Sequence, residues 1–183
     1  MNLQELHIDK SWTLFLDRDG VINKKIEGGY VLSTEMFEWI EGSIEAISKL
    51  SKVFGRIIVV TNQQGIGKGL MSEYDLQTIH NFMKTEIEKH GGRVEAIYHS
   101  PYLSIENNPM RKPGIGMPLQ AKVEFPEIDF QKSIMVGDSK GDMEMAEKLS
   151  MKKIFIAVNK SDYINADYVF KSLKKISLAV NKF

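Results

Sequence analysis

The chain has 183 residues, 43% of them hydrophobic and 26% charged, enough for one domain with a full-sized core. Its 24 basic residues equal its 24 acidic ones, so the net charge is zero and nothing in the balance asks for nucleic acid or an anionic membrane. There are no cysteines, which excludes disulfides, a thiol nucleophile and thiolate-bound zinc. The N-terminus has no charged-then-apolar signal pattern and no apolar run approaches membrane-spanning length, so the expectation is a cytoplasmic enzyme.

In chain order, residues 1–11 are polar and mixed, and read as a short leader or partner-facing arm. Trp12-Thr13-Leu14-Phe15-Leu16 is an apolar run of strand length that stops abruptly at Asp17, Asp19 and Gly20. Residues 20–40 read as a loop in which Tyr30, Phe37 and Trp39 supply packing. A helix is predicted near 42–54, with Ile44, Ile47, Leu50 and Phe54 on one face. A second buried strand, 56–61, ends in Thr61-Asn62-Gln63. The glycine-rich stretch 65–69 lacks the order of a nucleotide-binding loop and reads as a turn. Ser72 with Asp75 three residues on signals a capped helix start, and Leu76, Ile79, Met83 and Ile87 continue it at helical spacing.

A weaker third strand is predicted at 94–98. Residues 99–118 form a loop holding four of the five prolines and the run Arg111-Lys112-Pro113. A helix near 117–124 follows. The fourth strand, 133–138, ends in an acid, Asp138, and Asp142 follows one turn later at the start of the next helix. A fifth strand covers 153–158, a short sixth Tyr168–Phe170, and a final helix lies near 171–180. Alternating strands and helices imply a parallel sheet covered on both faces. No linker or repeat divides the chain, so residues 1–183 read as a single domain.

Three strong strands thus end in polar groups: Asp17 with Asp19, Thr61, and Asp138. Parallel strands end on one side of a sheet, where open α/β sheets keep their ligand crevices. Lys112 enters from a loop leaving the same edge. Several acids, a hydroxyl and an ammonium suit a hard cation such as Mg²⁺ beside a phosphoryl group.

In these motifs the chain resembles the haloacid dehalogenase superfamily of phosphohydrolases: Asp17-Arg18-Asp19-Gly20, Thr61-Asn62, Lys112, and Gly137-Asp138 through Asp142, in that order. The runs Gly29-Tyr30-Val31, Thr61 to Ile66 and Arg111-Lys112-Pro113 look like the D-glycero-D-manno-heptose 1,7-bisphosphate phosphatase branch, to which histidinol-phosphate phosphatase domains also belong. The resemblance implies a three-layer Rossmann-like α/β fold without a large cap domain. It makes Asp17 the nucleophile that becomes an aspartyl-phosphate, and Asp19 the acid and then the base. Asp19 would need a raised pKa, which a neighbouring carboxylate could supply. Mg²⁺ would sit on the Asp17 and Asp138 carboxylates and the Asp19 main-chain carbonyl, with Asp142 holding the metal's waters. Thr61 and Lys112 would bind phosphoryl oxygens. Read without the resemblance, Thr61 could satisfy a backbone group, Lys112 could be a solvated lysine, and Asp142 could simply favour a helix N-terminus.

Two departures stand out. The branch often carries a zinc loop with cysteine and histidine ligands. Here only His99 could ligate, so zinc is predicted absent and His99 reads as a hydrogen-bonding loop residue. Ser139 stands where the branch often has lysine. The site should be open, covered only by residues near 24–36 and 99–111. Glu27, Gly28, Gly29 and Tyr30 are candidates for touching the sugar, as are Asn62 and Gln63 beside Thr61, and Arg111 for a second phosphate or hydroxyl. The reading is a Mg²⁺-dependent phosphomonoesterase acting on a small phosphorylated sugar, with no nucleic-acid or membrane partner. Histidinol phosphate or a polynucleotide 3′-phosphate are the alternative substrates. A phospho-acceptor signalling module is the remote alternative, disfavoured because such modules lack an acid at the Asp19 position.

Overall fold

Every second residue of the apolar runs belongs to a different core, as the two-residue period of a strand requires. In the computed structural model, which describes residues 3–157 and 165–180, six parallel strands form one sheet: β1 (Thr13–Leu16), β2 (Arg56–Asn62), β3 (Ala96–Ser100), β4 (Ser133–Gly137), β5 (Lys152–Ile156) and β6 (Tyr168–Phe170). Their order is β3-β2-β1-β4-β5-β6. Leu14, Leu16, Ile57, Val59, Ile134, Val136 and Ile154 pack on one face, with helices α1 (Ser43–Val53), α2 (Glu73–Lys89) and α5 (Leu173–Val180). Phe15, Ile58, Val60, Met135 and Phe155 pack on the other, with α3 (Gly116–Glu124) and α4 (Lys140–Lys148). The three-layer α/β architecture expected from the sequence is present, without a large cap domain.

β1 is the central strand, paired with β2 on one side and β4 on the other, so that Leu16 lies level with both Val59 and Val136. The chain winds outward from β1 to β3 and then crosses over to β4. Such a reversal leaves a crevice at the strands' C-terminal edge, because the neighbouring connections run to opposite faces. Asp17, Thr61 and Asp138 occupy that edge.

Several boundaries differ from the sequence reading: β5 spans Lys152–Ile156 rather than 153–158, and α5 begins at Leu173 rather than near 171. β3 begins at Ala96, two residues late, because Val94 and Glu95 belong to the approach: Glu95 accepts from the Ile57 N–H through its side chain. The N-terminal arm is part of the core, since Leu3 is 2% exposed in a short 3-10 turn, Leu3–Leu6, packed on α5. Burying a leucine outweighs the polarity of its neighbours. Met1 and Asn2, and Val158 of the predicted fifth strand, lie outside the described residues. Among the described residues no helix is long and apolar enough to cross a membrane.

Candidate active site

β1 delivers Asp17 to the edge, where its backbone N–H still donates to Val136 O at 2.9 Å. The following turn doubles back, with Gly20 at φ +86° and its N–H donating to Asn23 O at 2.8 Å. Only glycine serves there: a Cβ would lie 2.2 Å from Asp138 Oδ2. Gly137 at the end of β4 faces the same constraint, since a Cβ would lie 2.4 Å from Asp142 Oδ2. The two glycines let the acids crowd together. Gly20→Ala is expected to displace Asp138 and to remove at least about half of any Mg²⁺-dependent rise in melting temperature, measured by calorimetry with and without the ion.

Lys112 is 5% exposed and its ammonium is closely surrounded by oxygens. It lies 2.8 Å from Asp17 Oδ1 and 2.6 Å from Asp142 Oδ1, and donates to Val60 O at 2.9 Å. Its backbone is clamped by Asn62, which donates to Lys112 O at 3.1 Å and accepts from the Lys112 N–H at 3.0 Å. Asn62 therefore positions the lysine as well as facing the cavity. Asp142 faces two ways. Oδ2 accepts from the Ser139 N–H at 3.1 Å and hydroxyl at 2.6 Å, capping α4, while Oδ1 meets Lys112. This accounts for Ser139, because a lysine there could not cap the helix.

Oxygens of Asp17, Asp138 and Asp142 all lie within 4.8 Å of one another. Burial, with the neighbouring carboxylates and against Lys112, pushes the Asp17 carboxyl up to about 7. Burial likewise raises Asp138, against Lys25, which lies 3.3 Å from its Oδ2. Burial alone would lower Lys112, but Asp142 and Asp17 outweigh it and hold the ammonium charged. Crowded carboxylates with oxygen-only donors at one strand edge fit a hard divalent cation, which would relieve their repulsion.

Asp19 departs from expectation. Burial would raise its carboxyl, but the Arg18 charge and hydrogen bonds from Asn23, Arg18 and Gln63 more than offset it, and the pKa is lowered. Asn23 donates at 2.8 Å, Arg18 Nη2 to both oxygens at 2.9 Å, and Gln63 at 2.8 Å. The neighbouring carboxylate that was expected to raise Asp19 instead acts on Asp17.

A cavity of about 260 Å³ opens over these groups, lined by Asp17, Asp19, Thr61, Asn62, Lys112, Asp138 and Ser139 below and by Lys25, Gly29, Tyr30 and Arg111 at the rim. Gly29, Tyr30 and Arg111, the candidates for touching substrate, line this cavity. Glu27 and Gly28 do not line this cavity; Glu27 faces a neighbouring one. Gln63 is 1% exposed and turned inward, donating to Asp19 and to Thr61 Oγ1 at 2.9 Å. His99 lies in β3 with Nε2 2.8 Å from Glu73, not in the loop. The loop beyond it is held by protein contacts, among them Arg111 Nη1 to Tyr102 O at 3.1 Å. Lys25, Arg18 and His80 were missed. Nothing in the spacing marks Lys25. A charged residue between two motif aspartates, and a histidine at an apolar helix position, were the available signals for the other two.

The family model described as polynucleotide kinase 3 phosphatase matches residues 13–180. A Mycobacterium tuberculosis D-glycero-alpha-D-manno-heptose-1,7-bisphosphate 7-phosphatase is 39% identical over 139 residues, covering 76% of this chain and 73% of its own. The Campylobacter jejuni enzyme of the same name is 35% identical over 91% of this chain and 94% of its own. A Salmonella typhi D-glycero-beta-D-manno-heptose-1,7-bisphosphate 7-phosphatase is 35% identical over 92% and 95%. Among solved structures, the D,D-heptose 1,7-bisphosphate phosphatase of B. bronchiseptica, complexed with magnesium and phosphate, superposes with a TM-score of 0.81 at 25% identity, covering 91% of this chain and 96% of that one.

Proposed function

Because the chain belongs to the haloacid dehalogenase superfamily of phosphatases, closely related to the heptose bisphosphate 7-phosphatases, we propose that it removes the 7-phosphate of a D-glycero-D-manno-heptose 1,7-bisphosphate through an aspartyl-phosphate at Asp17. The observation that carries the chemistry is Asp17 itself. It stands at the end of the central strand, 2.8 Å from a buried lysine, on the floor of a cavity sized for a small phosphorylated molecule. The same proposal takes residues 1–183 as one unit acting in the cytoplasm, where sugar phosphates are available.

The Asp17 and Asp138 carboxylates and the Asp19 main-chain carbonyl would hold Mg²⁺, with Asp142 close by, and the ion would supply charge for the phosphoryl oxygens and offset the carboxylate repulsion. The protein's own groups do the rest. Lys112 orients Asp17 and keeps positive charge beside the incoming phosphoryl group, with Thr61 beside it. Asp17 forms a bond to phosphorus as the bond to the sugar oxygen breaks, and Asp19, which must first take up a proton from solvent against the pull of Arg18, gives that proton to the departing oxygen. Water then attacks phosphorus, its proton passes to Asp19, and the bond to Asp17 breaks to release inorganic phosphate. Asp19 thus regains in the second step the proton it gave in the first. Tyr30, Gly29 and Arg111 at the rim would meet the sugar.

A polynucleotide 3′-phosphate is the competing substrate, favoured by the description of the matching family model. The zero net charge supports a small substrate instead, since a nucleic-acid partner is ordinarily met by excess positive charge. Purified enzyme with Mg²⁺ should be given the alpha and beta heptose bisphosphates, histidinol phosphate and a 3′-phosphorylated oligonucleotide. One heptose anomer is expected to exceed the others in kcat/KM by about tenfold or more, about 1.4 kcal/mol of discrimination. A chelator is expected to abolish turnover and added Mg²⁺ to restore it. Preference for the oligonucleotide, or activity that survives chelation, would overturn the proposal.

A further inference from the structure

Among the described residues Arg18 is the largest fully buried side chain, at 0% exposure; it does not itself line the cavity, but its guanidinium grips Asp19, which does. A buried guanidinium is costly unless its protons find acceptors. Nη2 meets both Asp19 oxygens at 2.9 Å and Gln63 Oε1 at 3.3 Å. Nη1 lies 3.3 Å from Nε2 of His80 on α2. Nε has no acceptor. Because a guanidinium only donates, His80 Nε2 accepts and the imidazole proton sits on Nδ1. His80 is 8% exposed, and burial and the Arg18 charge hold it well below its ordinary pKa, which keeps that acceptor available.

The guanidinium is therefore fixed at two ends, Asp19 with Gln63 at one and His80 at the other. Without His80, Nη1 as well as Nε would lack a protein acceptor in a buried site, and the fork would turn to find one. Asp19, bound through both oxygens, would turn with it. We propose that His80 is a positioning residue of the reaction: by accepting from Arg18 it fixes the fork that presents the Asp19 carboxyl to the leaving group. The proposal rests on the acid–base reading of Asp19, and it extends the working site to helix α2, on the far side of Arg18 from the cavity.

The test compares two leaving groups. A sugar alkoxide needs a proton as it departs, whereas nitrophenolate does not, so a fault in presenting Asp19 slows only the first. His80→Leu removes the acceptor. Its kcat on the fastest sugar phosphate of the panel is expected to fall about tenfold with KM unchanged within about twofold. Single-turnover release of nitrophenolate from para-nitrophenyl phosphate should stay within about twofold of the unsubstituted enzyme. His80→Gln keeps an acceptor and should restore kcat. Should His80→Leu fail to fold, Arg18→Lys carries the same test, since one ammonium cannot span His80, Gln63 and both Asp19 oxygens. Equal slowing of both substrates, no slowing of either, or failure of glutamine to rescue overturns the proposal. Asp19→Asn runs beside them: if it keeps full turnover of the sugar phosphate, the acid–base reading has failed instead.

Discussion

Asp17→Asn is expected to cut kcat on the order of 10⁵-fold, the scale on which removal of a covalent nucleophile usually shows. The amide keeps the shape of the side chain but is too poor a nucleophile to attack phosphorus. The same variant is expected to be more stable than its parent when no divalent cation is present. The sign follows from the raised carboxyl. An unfolded chain holds Asp17 near its ordinary value of about 3.9, whereas the folded protein holds it at about 7. Between those values the folded state binds more protons, so stability falls as pH rises. At about pH 8 the parent carries that full penalty and the asparagine does not; at about pH 5 the advantage should shrink to about a third. Melting curves of metal-free protein at the two pH values check this. A variant less stable than the parent at the higher pH would show that Asp17 is held by its lysine more than it is strained by its neighbours.

Lys112→Met is the mirror case. Its kcat/KM should fall about 10³-fold, the cost of losing one positioned charge at the phosphoryl group. Without the ammonium, Asp17 and Asp142 are buried side by side with no cation between them. Breaking a buried pair from one side costs about 3–5 kcal/mol. In metal-free protein that loss should be largest at about pH 8 and shrink toward about pH 5, where Asp17 takes up a proton. Asp17→Asn and Lys112→Met therefore move the melting temperature in opposite directions at the higher pH while both abolish useful activity. A merely disordered site would lower both.

Much of this site was legible in the sequence because its residues sit at strand ends. Apolar runs that stop at Asp17, Thr61 and Asp138 state both a sheet and an edge, and parallel strands bring those ends together. Ser72 with Asp75 announced α2 through local chemistry alone. What stayed hidden depends on distance across the fold. The low pKa of Asp19 comes from Arg18, Asn23 and Gln63, and no pattern says which way those side chains turn. Gln63 was assigned to substrate because it stands beside Thr61, and Glu27 because it lies in the loop expected to cover the site. Gln63 faces inward to Asp19, and Glu27 faces a neighbouring cavity. Leu3 lies buried in a stretch too polar on average to suggest it. Ser139 looked like a departure near the substrate and proved to be a helix cap that frees the other oxygen of Asp142 for Lys112.

Asp17 is the residue on which the chemistry turns, and the phosphoryl group should be found on it. Enzyme quenched in acid during turnover of its best substrate and then reduced with borohydride should yield homoserine at position 17, because an acyl phosphate is reduced where a free carboxylate is not. Homoserine at that position, dependent on Mg²⁺ and lost in Asp17→Asn, is the expected result. An unmodified Asp17 in enzyme caught at full turnover, or the label on another carboxylate, would contradict it.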